Sequence, residues 1–148
     1  MIIIKKKMLI LFASPHAEGH TKKILNHFIS NVKLKYDISF IDAFRKNAKP
    51  CIDCSHCKKY KKCFFNDLNE FYNNLTNADL IIIATPIYNL SFPAPLKAIL
   101  DRTQIYYNTR NVNPIKKKKE VILLLTCGRN KKKYTRIVAQ QLKCVLFS

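Results

Sequence analysis

Three short runs in this chain are apolar at every position: Met8 to Ala13, Leu80 to Ala84 and Val121 to Leu125. A strand with one wet face alternates apolar and polar residues; a run without alternation is dry on both faces. Such strands belong to the interior of a parallel sheet covered by helices. Between the runs the apolar period becomes helical. Ile24, Leu25, Phe28, Ile29 and Val32 share one face, as do Leu68, Phe71 and Leu75, and again Leu96, Ile99 and Leu100. Tyr134, Ile137, Val138, Leu142, Val145 and Leu146 predict a last helix from about Lys132 to Phe147. Tyr36 to Ile41 alternates in part and predicts a strand nearer the edge, while Ala43 to Pro50 reads as a polar connector. Ile2-Ile3-Ile4 either extends the first strand or frays. Strand and helix alternate, so the expected class is α/β, a doubly wound parallel sheet with right-handed crossovers. A length of 148 residues supplies one such domain and one core. With the strands in the order 2-1-3-4, the loops after the first and third strands open side by side, where these sheets bind ligands.

The loops carry the chemistry. After the first run come Ser14-Pro15-His16-Ala17-Glu18-Gly19-His20-Thr21, leading straight into helical periodicity. A strand, a small polar loop and a helix N-terminus form an anion site from free N–H groups and the positive helix end. Ser14 and Thr21 add hydroxyls, and His20 is a candidate ligand contact. The loop is neither a Walker A sequence nor a GxGxxG. After the second run come Thr85-Pro86-Ile87-Tyr88-Asn89, and Pro93 and Pro95 then open a helix that ends near Asp101-Arg102. After the third run come Thr126-Cys127-Gly128. Asp67, with Glu70 three residues on, predicts a capped helix start, and Asn108 to Lys119 a basic loop.

Cys51, Cys54, Cys57 and Cys63 form a C-x2-C-x2-C-x5-C run. The first two intervals match those of a ferredoxin run, the third does not. Soft thiolates select iron–sulfur or zinc. Iron–sulfur ligation, zinc ligation and plain reduced thiols all remain open on spacing alone. Cys127 and Cys144 read as isolated, buried small residues. His56 lies among the cysteines, and His27 reads as a solvent-facing or hydrogen-bonded helix residue. The net charge is +18, with lysine runs between the predicted elements. They match no nucleic-acid motif and read as solvated loops, not a nucleic-acid surface; a basic face would steer an acidic electron-transfer partner. No run is long enough to span a membrane. Lys5-Lys6-Lys7 before Met8 to Ala13 reads as a strand start, not an export signal, so the cytoplasm is expected.

Three of these segments together resemble the flavodoxin-like NAD(P)H-dependent FMN reductases, a family that includes the iron–sulfur flavoproteins. ASPHAEGHT resembles the family's GSPxxxGNT phosphate loop, CIDCSHCKKYKKC its compact cysteine motif, and ADLIIIATPIYNLSFPAPLKAILDR its flavin-ring loop and following helix. The resemblance runs from about Met8 to Gly128. It implies one FMN-binding domain over residues 1–148, with a cysteine-rich insertion at about 50–64. Ser14, His16, Gly19, His20 and Thr21 would hold the FMN phosphate. Thr85, Pro86, Ile87, Tyr88 and Asn89 would lie against the ring, with Thr126, Cys127 and Gly128 on its far side. The family includes members with and without a [4Fe–4S] cluster; if Cys51, Cys54, Cys57 and Cys63 hold one, electrons would pass singly between cluster and flavin. The implied function is electron transfer from NAD(P)H, or a ferredoxin-like donor, through FMN to a small-molecule or protein acceptor, in a homodimer. The flavin carries that chemistry, so no catalytic side chain is expected. The competing classes are a basic, zinc-stabilised nucleic-acid-binding module and a non-enzymatic flavin carrier. Ala13 stands where the family uses Gly, His20 where it uses Asn, and Asn89-Leu90 where an aromatic or Gly-containing pair is common. The sequence stops before the family's fifth strand and last helix, which is expected to leave the fourth strand without an outer neighbour.

Overall fold

Lys6–Phe12 (β1), Tyr36–Asp42 (β2), Leu80–Pro86 (β3) and Glu120–Thr126 (β4) pair in parallel, in the order β2-β1-β3-β4. The computed structural model describes residues 5–110, 119–128 and 132–146. The expectations for Ile2-Ile3-Ile4, for most of the 108–119 loop, for Phe147 and for the Cys144 side chain fall outside what it describes. The register sets Met8 against Leu80 and Ile38, and Ile82 against Ile10 and Ile122. The two inner strands are the apolar runs at 8–13 and 80–84, and their side chains are buried on both faces.

Alternation along β1 divides the core in two. Leu9, Leu11 and Ala13, with Ile81 and Ile83, face Asn69–Asn77 (α4), Ala94–Asp101 (α5) and Lys132–Leu146 (α7) through Phe71, Leu75, Leu96, Ile99, Val138 and Leu142. Met8, Ile10, Phe12, Leu80 and Ile82 face His20–Val32 (α1) through Leu25, Phe28, Ile29 and Val32. This is the flavodoxin-like doubly wound arrangement that the sequence predicts.

Several local expectations change. Ile24 counts to the apolar face of α1 but is exposed, because Leu25 takes the central position over the sheet. The connector after β2 contains a short helix, Ala43–Lys46 (α2), capped by Asp42 Oδ1, which accepts from Phe44 N at 3.0 Å and Arg45 N at 3.3 Å. Asp67 does not cap α4, whose N-cap is Leu68; its carboxylate is turned to Lys49 and Arg102 instead. Two further helices, His56–Tyr60 (α3) and Gln104–Thr109 (α6), are too short to show a period in sequence. Along β4, Val121 to Leu125 are only part-buried, and among the described residues the strand pairs on one side only, with β3.

Candidate functional site

The loops after β1, β3 and β4 are stitched together at one end of the sheet. Ala13 N donates to Ala84 O at 2.9 Å, and Ile87 N donates to Thr126 O at 2.8 Å. Thr85 Oγ1 donates to Pro86 O at 3.0 Å and, more weakly, to Ala13 O at 3.4 Å. Thr21, at the start of α1, meets the end of β4, its Oγ1 lying 2.8 Å from Thr126 Oγ1. The hydroxyl residues Ser14, Thr21 and Thr85 are buried at 5%, 3% and 0% exposure, an unusual concentration of polar groups at a sheet end.

The loop entering α1 turns tightly. Gly19 N donates to His16 O at 3.2 Å, and Ser14 Oγ accepts from His16 N at 3.3 Å. Gly19 has φ −76, so its value is not a left-handed backbone. A Cβ there would stand 2.9 Å from His16 Cβ, so close approach is what excludes a side chain. No side chain caps the thirteen-residue α1, and no acidic residue sits in its first turn. The first turn of α1 thus keeps N–H groups that no capping side chain takes up, although Glu18 stands just before it. Backbone donors, buried hydroxyls and a glycine cradle fit a phosphate monoester.

Tyr88 to Ser91 closes a two-residue turn: Tyr88 N donates to Ser91 O at 2.8 Å and Ser91 N to Tyr88 O at 2.9 Å. Asn89 at φ 49 and Leu90 at φ 62 give it the mirror-image hairpin geometry. Asn accepts that conformation; Leu, with its Cβ, is strained there by about 1–2 kcal/mol. Tyr88 and Leu90 are 43% and 45% exposed on the loop that follows β3. Ser91 Oγ donates to Gln141 Oε1 at 3.0 Å, tying the turn to α7.

The residues expected to contact a ligand therefore divide. Ser14, Gly19, Thr21, Thr85, Pro86, Ile87 and Thr126 lie on the three stitched loops, buried or part-buried. His16, His20, Tyr88, Asn89, Cys127 and Gly128 are exposed on the same loops. The expectation of a buried Cys127 is wrong: it sits one residue past β4, where the strand has already left the core.

Away from these loops, a concavity lies among Cys51, Cys54, Cys57, Cys63, Phe65, Arg102 and Asn108. Asp53, Ser55 and Lys61 bend the loop with φ of 48, 57 and 59, turning successive thiols toward it. The four thiols are free, and Asn108 Nδ2 donates to Cys57 Sγ at 3.2 Å. Among the described residues no three His, Cys, Asp or Glu side chains converge as a ready-made metal site. The donor set itself, four soft sulfurs on one bent loop, is of the right kind for a thiophilic metal or cluster.

Arg102 and Asp67 are the residues that sequence reasoning missed here. Arg102 is 2% exposed. Its Nη2 donates to Asp67 Oδ1 at 2.8 Å and Phe65 O at 3.1 Å, and its Nη1 to Lys49 O at 2.8 Å. Burial alone would raise the Asp67 carboxyl, but hydrogen bonds from Arg102 and from Lys49 N–H outweigh it and hold the pKa below the usual carboxylate value. Burial raises the Tyr72 phenol, against the Arg102 guanidinium. Burial works to lower the Arg102 pKa, yet the Asp67 and Tyr72 partners prevail and raise it. The only sequence signal was an Arg at the end of an apolar helical stripe, which ordinarily faces water.

The model of the NADPH-dependent FMN reductase family matches residues 6–146. An iron–sulfur flavoprotein of Methanocaldococcus jannaschii is 30% identical over 100 residues, covering 66% of this chain and 52% of that protein. An iron–sulfur flavoprotein of Archaeoglobus fulgidus is 37% identical over 91 residues, covering 57% of this chain and 47% of that protein. The chain thus spans about half the length of these curated relatives. Among solved structures, an NAD(P)H:quinone oxidoreductase from Methanothermobacter marburgensis superposes with a TM-score of 0.74 at 20% identity, covering 97% of this chain and 75% of that one. That likeness is one of fold.

Proposed function

The chain belongs to the NADPH-dependent FMN reductase family, and from that premise we propose that it is an FMN-dependent oxidoreductase drawing electrons from NAD(P)H and passing them to an acceptor. The observation that carries the reading is the convergence of three loops at one end of the sheet around the buried hydroxyls of Ser14, Thr21 and Thr85. FMN, when bound, supplies hydride acceptance and electron release. The protein's part is anchoring and shaping. The uncapped end of α1 and the hydroxyls of Ser14 and Thr21 receive the phosphate, with His16 and His20 at the rim. Where Thr126 donates within the Thr21–Thr126 pair, the Thr21 proton stays available to a phosphate oxygen. Thr85, Pro86, Ile87, Tyr88 and Asn89 would border the flavin ring, with Thr126, Cys127 and Gly128 on its far side. The near-half-exposed Tyr88 and Leu90 offer apolar surface to a second subunit, in keeping with a homodimer.

The same reading takes residues 1–148 as one FMN-binding domain, with the insertion at about 50–64 holding a [4Fe–4S] cluster on Cys51, Cys54, Cys57 and Cys63. Relatives bearing the name iron–sulfur flavoprotein support it, as does the bent loop with its Asn108 donor. Four reduced thiols suit a cytoplasmic setting.

The test is anaerobic purification followed by a visible spectrum and an FMN titration. Flavin bands are expected, with a broad brown shoulder if the cluster is present. Thr21→Val removes one hydrogen bond to a charged oxygen and should weaken FMN binding by about 10-fold or more. Unaltered affinity would remove Thr21 from the phosphate site, and a protein that takes up no FMN would end the proposal.

A further inference from the structure

Arg102 has five N–H donors, and all five are engaged on groups at the base of the cysteine loop. Nη1 donates to Lys49 O at 2.8 Å and to Asp67 Oδ2 at 3.4 Å. Nη2 donates to Phe65 O at 3.1 Å and to Asp67 Oδ1 at 2.8 Å. Nε donates to Tyr72 Oη at 3.2 Å. Lys49 stands just before the cysteines, Phe65 and Asp67 just after them. Asp67 completes the link by accepting from Lys49 N at 2.9 Å. The guanidinium therefore joins the two ends of the loop, and it also lines the concavity that the four thiols share. Its ring-facing side lies 5.2 Å from the Phe65 centroid. On α6, directly after Arg102, Asn108 adds the hydrogen bond to Cys57 Sγ.

We propose that Arg102 is the positioning residue of the cysteine site, clamping residues 49 and 65–67 together so that the intervening thiols share one pocket. The proposal rests on the reading of those cysteines as a metal or cluster site. Cys51, Cys54 and the lysines of α3 are exposed, and apart from Asn108 on Cys57 and the His56 ring contacts the loop is held mainly at its two ends. Its two ends are fixed by the Arg102 guanidinium, a flat, five-donor fork whose geometry an ammonium does not reproduce. The clamp also follows from the placement of α5. That helix starts just after the Tyr88–Ser91 turn and ends at Asp101 with Arg102 as its C-cap, about 12 Å along its axis at eight residues, so one rigid element borders both sites.

Reduced, metal-free protein and its Arg102→Lys and Asp67→Asn variants would be titrated with cobalt(II), reading the sulfur-to-metal charge-transfer band. Hydrogen exchange of residues 49–67 and of β3 would be followed without metal. Arg102→Lys keeps the positive charge and loses the fork. It should weaken cobalt binding by about 10-fold or more and speed exchange in the loop while β3 stays protected. Wild-type cobalt affinity and loop exchange in Arg102→Lys would overturn the proposal, since charge alone would then suffice. Should Arg102→Lys also deprotect β3, Asp67→Asn decides: faster loop exchange over a protected β3 supports the clamp, and unchanged loop exchange overturns it. A wild-type protein with no thiolate–cobalt band would refute the metal reading of the cysteines; loop exchange in the two variants would still judge the clamp by the same outcomes.

Discussion

Asp67 reads as an ordinary helix-capping residue in sequence, and in the fold it is the counter-charge of a buried arginine. Its depressed pKa makes a directional prediction. A carboxylate whose folded pKa lies below its unfolded value adds stability that is complete above the unfolded value and is lost as pH falls through the folded one. With an ordinary value of 3.8, the loss belongs to pH below about 4. Urea unfolding at pH 7 should find Asp67→Asn less stable by about 1.5–3 kcal/mol, the worth of hydrogen bonds to a charged group. The gap should narrow as both proteins are taken toward pH 3; a gap independent of pH would mean that the carboxylate's charge is not what matters. Other residues were easier to read. Gly19 and Thr21 were placed correctly at the turn into α1, where Gly19 meets His16 too closely for a side chain and Thr21 is buried against Thr126. Arg102 was silent, because nothing in its neighbours along the chain reveals that carbonyls from residues 49 and 65 will meet it. Leu90 was equally silent: the turn it completes normally calls for Gly or Asn.

Strands of the same composition differ by place in the sheet. Leu80 to Ala84 and Val121 to Leu125 are alike in sequence, yet the first is fully buried and the second only in part. Strand β3 has β1 on one side and β4 on the other, and helices on both faces. Ile82, at 0% exposure between Ile10 and Ile122, should cost about 2–5 kcal/mol when cut to Ala. Leu124→Ala on β4 should cost less, about 1–2 kcal/mol, because part of its side chain is already in solvent. Equal losses in urea denaturation would show that β4 is covered in solution by something beyond the described residues. Helix faces were legible where three or more apolar positions repeated, as in α4 and α5. The short α2, α3 and α6 were not, since one turn or so carries no period and owes its existence to capping and tertiary contact.

For the molecule as a whole, the formal charge of +18 is the dominant long-range force. Few anions offset it; the ion pairs Arg45–Asp42, Lys46–Glu70 and Lys97–Asp101 lie largely at the surface and contribute little each. Self-repulsion should therefore destabilise the compact state at low salt. Raising ionic strength from about 0.01 M to 0.15 M shortens the screening length from about 30 Å to about 8 Å. The melting temperature should rise by about 2–4 °C for each kcal/mol regained; no rise would show that the lysines are already spaced beyond one another's reach. The sequence by itself determined a parallel sheet with its helices, because burial on two faces and the 3.6-residue period are properties of contiguous residues; the order of the strands was expected from the fold type and is seen in the structure. Only the tertiary structure decided which polar groups meet. The Thr21–Thr126 contact and the Arg102 clamp join positions 105 and up to 53 residues apart, and no local pattern records such a meeting.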